Sequence, residues 1–157
     1  MATPQLGDRF IDFKAGEHDT HALRRKGPLV VLFWRTECPV CRLALPFYQR
    51  LAERYPHLTV LGVAQNTLLE TETYCDANRI TFPQVADEDL HISRAYEIGI
   101  VPAFFFTSGD GGEVQISGTG WDRQRLEEVG IRVAGMRGMP AEALVLDTDG
   151  VPNYKPG

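Results

Sequence analysis

No stretch of the chain approaches the roughly 18 consecutive apolar residues that a membrane-spanning helix needs. The first ten residues, MATPQLGDRF, also lack the charged start and apolar middle of a secretory leader. These two absences predict a cytoplasmic protein with no membrane in this chain; an exported protein stripped of its signal or anchor would read the same. Positive charge is in the minority, with 16 Lys and Arg against 21 Asp and Glu and a net charge of -5. Nothing therefore draws the chain to nucleic acid, and the short run Arg24, Arg25, Lys26 reads as a solvated turn. Cysteine is scarce: three residues cannot staple a disulfide scaffold. The histidines at 18, 21, 57 and 91 are scattered, and no second C-x-x-C or H-x-x-x-H completes a zinc set. Internal repeats and low-complexity tracts are missing as well.

What is present fits one globular domain. A chain of 157 residues that is 43% hydrophobic and 24% charged can bury a single core but has no room for a second. Residues 29–34, LVVLFW, form a continuous apolar run after Gly27-Pro28, the pattern of a parallel strand buried on both faces. Val40, Leu43, Ala44, Phe47, Tyr48, Leu51 and Tyr55 then recur at steps of three and four, which predicts an amphipathic helix ending near Pro56. Pro46 lies inside that helix and is expected to kink it.

A second strand is predicted over 58–64, a surface helix over 68–78, a short helix over 90–96 and a third strand over 103–107. A Gly-rich turn at 108–112 leads into a hairpin partner over 113–118, and Asp122 can cap a last helix over 123–137. Residues 7–23 are expected to form a short strand or hairpin against a sheet edge. Residues 139–157 hold three prolines and no sustained period, so an extended tail that packs only in part is expected, separate from a domain over 1–138. Within it, Asp147-Thr148-Asp149-Gly150 has the look of part of a calcium loop, but the other ligands are missing and a turn is the better reading.

The chemistry lies in Cys38-Pro39-Val40-Cys41, placed where the buried strand passes into the helix. At a helix start the unpaired N–H groups and the positive end of the dipole stabilise an anion, so a thiolate there is favoured. Pro39 suits the first helical position because its φ fits and its missing N–H costs nothing. A separation of three residues puts both sulfurs on one side of the first turn, with one at the mouth and one inward. Cys38 is then the nucleophile and Cys41 the resolving thiol. Arg35 favours the thiolate and Glu37 opposes it. Cys75, on the surface helix, reads as a half-buried small residue rather than a redox partner.

Phe33-Trp34-Arg35-Thr36-Glu37-Cys38-Pro39-Val40-Cys41, together with Pro46 and the segment YEIGIVPAFFF over 96–106, resembles the thioredoxin superfamily, and within it the TlpA-like and redoxin (AhpC/TSA-related) branch. That resemblance implies an α/β fold: a thioredoxin-like three-layer sandwich with a central mixed β-sheet flanked by helices and an N-terminal extension. It implies a thiol:disulfide oxidoreductase that acts on a protein or small-molecule disulfide, draws on a thiol electron donor and uses no cofactor. It also implies that the Val101-Pro102 bond is cis and lies against the dithiol, so that Trp34, Pro39, Val101 and Pro102 contact substrate. Two departures stand out. The family's buried acid six residues before the first cysteine is Leu32 here, and the Glu found three residues after the second is Ala44. Water, Glu37 or an unseen group must then take the proton of Cys41.

Two other readings are weaker. A peroxiredoxin-like thiol peroxidase calls for P-x-x-x-T-x-x-C, but the Pro and Thr positions hold Val31 and Arg35. A redox-inactive binding module of the same fold would have no use for both cysteines.

Overall fold

In a computed structural model, which describes residues 3–109 and 111–157, the chain folds around a five-stranded mixed sheet flanked by helices. Met1, Ala2 and Asp110, the last within the expected Gly-rich turn, lie outside the described residues. A hairpin, β1 (Lys14–Ala15) and β2 (His18–Asp19), leads into α1 (Thr20–Lys26). Then come β3 (Leu29–Trp34), α2 (Pro39–Arg54), β4 (Thr59–Ala64), α3 (Leu68–Asn78), β5 (Gln84–Ala86) and α4 (His91–Ala95). The chain continues through β6 (Ala103–Thr107), β7 (Ile116–Thr119), β8 (Trp121–Asp122), α5 (Arg123–Met136) and β9 (Tyr154–Lys155). The main sheet runs β5-β4-β3-β6-β7, with β3, β4 and β5 parallel and β6 and β7 antiparallel to their neighbours.

β3 lies at the centre of that order, and all six of its residues are buried. Its unbroken apolar run is the price of having protein on both faces. α2 buries Val40, Cys41, Ala44, Leu45, Phe47, Tyr48 and Leu51 and runs unbroken through the exposed Pro46. Thr67 and Glu70 cap α3 reciprocally, and the Asp122 carboxylate accepts the Arg125 N–H at the start of α5. Among the described residues no helix is long and apolar enough to cross a membrane.

The N-terminal expectation is corrected in two respects. Among the described residues the β1–β2 hairpin forms a two-stranded sheet of its own; the backbone that meets the main fold is 7–10, whose Gly7 and Phe10 N–H groups donate to the carbonyls of Val114 and Gly112. That pairing draws Glu113 and Val114 away from β7, which starts at Ile116 instead. The basic run is not a solvated turn but the last turn of α1, where cations suit the helix dipole. Arg24 there is clamped on both Asp12 carboxylate oxygens, and its side chain is only 11% exposed.

Residues 139–157 are extended for much of their length but firmly pinned. Leu144 and Val145 are buried in the core. Asp147–Asp149 form a single 3-10 turn, and β9 pairs with β8.

Candidate active site

The end of β3 delivers the chain to Cys38, the N-cap of α2. Its backbone is extended, and its sulfur accepts the Cys41 N–H at 3.1 Å. One otherwise orphaned helix donor is thus satisfied by the sulfur itself. The Cys38 thiol also points at the Val101 carbonyl oxygen, 3.6 Å away, and the Val101–Pro102 peptide is cis, as the resemblance implied. Cys38 and Cys41 are both free thiols; Cys38 is 5% exposed and Cys41 wholly enclosed.

A groove of about 240 Å³ opens beside Cys38, with Arg35, Gln65, Ile100, Val101 and Gly157 in its walls. Pro39 is exposed at its rim. Val101 is buried in its wall, so what it can offer an incoming molecule is mainly backbone, while Pro102 is buried behind it and does not line the groove.

Trp34 does not line this groove. It is fully buried, its Nε1–H donates to Gln84 Oε1 at 2.9 Å, and its ring packs on Tyr74. Gln84 and Tyr74 thus hold it in the core, which corrects its expected contact with substrate. Cys75 is more deeply enclosed than expected, and burial pushes its thiol up to about 11.

Burial also raises the Cys41 thiol far above the ordinary value, and the neighbouring Cys38 sulfur adds to the rise. The backbone N–H and guanidinium of Arg35 act the other way. Leu32 and Ala44 are each 1% exposed, so no carboxylate enters from those positions. Glu37 is the carboxyl next in sequence to the dithiol. Its carboxyl is held below the usual carboxylate range by its own backbone N–H and by the side chains of Asn66 and Thr36, and such a group is a poor proton acceptor.

Asn66 is the functional residue that the sequence did not reveal. Buried just past β4, it accepts the Thr36 N–H at 2.9 Å and donates to Thr36 Oγ1 and Glu37 Oε1. It staples the loop that carries Arg35, Thr36 and Glu37 to the neighbouring strand. A lone Asn after a strand gives no signal of this role. Arg42 adds a hydrogen bond from Nε to the Thr36 carbonyl at 2.6 Å. Among the described residues no group of three or more His, Cys, Asp or Glu is placed to hold a metal ion.

Residues 6–115, more than half of the chain, match the AhpC/TSA family. Among curated proteins the chain is similar to thiol-disulfide oxidoreductase ResA of Geobacillus kaustophilus, 31% identical over 108 residues, covering 67% of this chain and 62% of that protein. It is also similar to sporulation thiol-disulfide oxidoreductase A of Bacillus subtilis, 29% identical over 105 residues, covering 62% and 64%. The match thus spans under two thirds of the length of either relative. Among solved structures it resembles a secreted Mycobacterium tuberculosis disulfide oxidoreductase homologous to E. coli DsbE. The TM-score there is 0.61 and the identity 26%, with 75% of this chain and 87% of that one covered.

The likeness to a secreted protein overturns the cytoplasmic expectation. Export is written in segments that are cut away or lie outside the folded domain, so MATPQLGDRF does not speak for the compartment.

Proposed function

The chain belongs to the AhpC/TSA family, and from that premise we propose that it is a thiol:disulfide oxidoreductase in which Cys38 attacks and Cys41 resolves. One observation carries this reading: the Cys38 sulfur caps α2 at the mouth of a groove while Cys41 sits enclosed behind it. Only the outer sulfur can meet a substrate disulfide. Only the inner one is placed to displace that substrate afterwards.

The Cys38 thiolate attacks one sulfur of R–S–S–R′, a bond forms to R–S, and R′S⁻ leaves. The Cys41 proton passes to a released thiolate or to water. The Cys41 sulfur then attacks Cys38, the mixed disulfide breaks, and RS⁻ departs. Protein dithiol and substrate disulfide become protein disulfide and two substrate thiols, and a thiol donor returns the two electrons. The substrate is a protein or small-molecule disulfide, and Pro39 and Val101 are the residues that meet it, with Pro102 behind Val101. We place the domain boundary at 138, with 139–157 as an appended segment. The positions of Val31 and Arg35, where a peroxidase needs Pro and Thr, weigh against peroxide as the oxidant.

Equilibrating the protein against a glutathione buffer tests this reading, with turnover of a model disulfide and of hydrogen peroxide measured on the same sample. A reversible Cys38–Cys41 disulfide and disulfide turnover well above peroxide turnover are expected. Failure to form that disulfide, or faster turnover of peroxide, overturns it.

A further inference from the structure

The segment that follows α5 returns to the dithiol. Arg50 grips Asp149 through two hydrogen bonds of 2.8 Å, and the Trp121 indole N–H donates to the Pro152 carbonyl at 2.6 Å. β9 then lies antiparallel on β8, with Lys155 opposite Trp121. Gly120, at φ 71, has no side chain where this strap passes over it; a β-carbon there would run into the Lys155 carbonyl. Beyond β9, Gly157 enters the wall of the Cys38 groove, and a β-carbon at 157 would run into the Val101 carbonyl. That carbonyl is the one that faces the Cys38 thiol.

A disulfide carried in an extended polypeptide needs a lane beside the Val101 backbone, since paired strands lie about 4.8 Å apart. Gly157 stands in that lane, brought there by β9 and Pro156. A compact disulfide needs only the Cys38 sulfur and the groove in front of it. We propose that residues 154–157 make this site selective for low-molecular-weight disulfides over disulfides held in extended polypeptide, an inference that rests on the oxidoreductase reading above. The strap acts by occupying backbone space, so its effect is on what can approach and not on the thiol chemistry.

The test compares three proteins: the full chain, a chain ending at Pro152, and the full-length Gly157→Ala variant. The shortened chain keeps Leu144, Val145, the Arg50–Asp149 pair and the Trp121–Pro152 hydrogen bond. Each protein is assayed with 2-hydroxyethyl disulfide and with insulin. The ratio of insulin to 2-hydroxyethyl disulfide rates is expected to rise about tenfold in the shortened chain, the change that follows when one competing contact of hydrogen-bond strength is removed. A smaller rise is expected for Gly157→Ala, whose new methyl group pushes the strap away from Val101. If the shortened chain does not fold, Gly157→Ala decides alone. Turnover with an unchanged ratio overturns the strap's role and leaves the oxidoreductase reading intact. Absence of turnover with either disulfide in all three proteins overturns both.

Discussion

The outer and inner sides of the first turn of α2 are built from different materials. On the outer side, Cys38 faces a groove with a cation at Arg35, a carbonyl at Val101 and a loop stapled by Asn66. On the inner side, Cys41 is enclosed, and Leu32 and Ala44 stand where a proton acceptor would be expected. Two cysteines three residues apart thus hold unlike positions because burial divides them. The outer side is arranged to meet a molecule; the inner side keeps a thiol neutral until its turn comes.

Exchanging the sulfurs should break this comparison most severely. Cys38→Ser is expected to abolish disulfide turnover, while Cys41→Ser retains the attack and accumulates mixed disulfides through Cys38. Mass spectrometry after incubation with a model disulfide checks both, and adducts mapped to Cys41 or Cys75 in the wild-type chain would reverse the assignment. The next largest effect is expected from Asn66→Ala, which leaves the half-buried Thr36 N–H without its partner. The cost should be about 1–3 kcal/mol of stability by chemical denaturation, with slower reaction at Cys38 as the loop loosens. An unchanged midpoint would show that the staple holds nothing.

The inner side has its own signature in pH. Thiols of an unfolded chain ionise near about 8.5, whereas burial keeps the Cys41 thiol protonated well above that. Past this pH the unfolded state sheds a proton that the folded state retains, so the stability of the reduced protein is full below about pH 8.5 and falls as pH rises beyond it. The slope from one such group is at most about 1.4 kcal/mol per pH unit. Cys75, pushed up to about 11, adds to the same trend. Unfolding curves from pH 7 to 10 under excess reductant measure it, and Cys41→Ala should flatten them. The smallest effect is expected for Glu37→Gln. A working general base contributes about 100-fold or more, and a carboxyl held below its usual range, as that of Glu37 is, should cost far less than that when replaced. A 100-fold loss in disulfide turnover would make Glu37 the missing acceptor.

Much of this architecture was legible in order and period. The six-residue run of β3 and the three-and-four spacing of α2 reflect burial directly, so the dithiol's place at the strand-to-helix junction followed from them. The contacts that complete the site were not legible, because they join segments with no pattern in common. Asn66 reaches the dithiol loop across 30 residues of sequence, and the Gly157 wall depends on where the strap lies on β8. α1 went unseen because seven residues hold too little periodicity to stand out, even with Asp19 as its cap. Trp34 was misplaced because the resemblance set it beside the dithiol, while here its indole N–H is taken up by Gln84 and its ring by Tyr74.

The central position of β3 also bears on the order of assembly. The parallel partners β3 and β4 are joined by a local crossover, but the carbonyl that faces the nucleophile arrives on a segment 63 residues further along the chain. Contacts of such long range form late, because the loop entropy must be met before they return any stability. A nascent unit of β3, α2 and β4 would hold both sulfurs with nothing laid across them. The shielded site thus belongs to the whole fold, and a chain interrupted before β6 would carry the Cys38 thiol without the Val101 carbonyl against it.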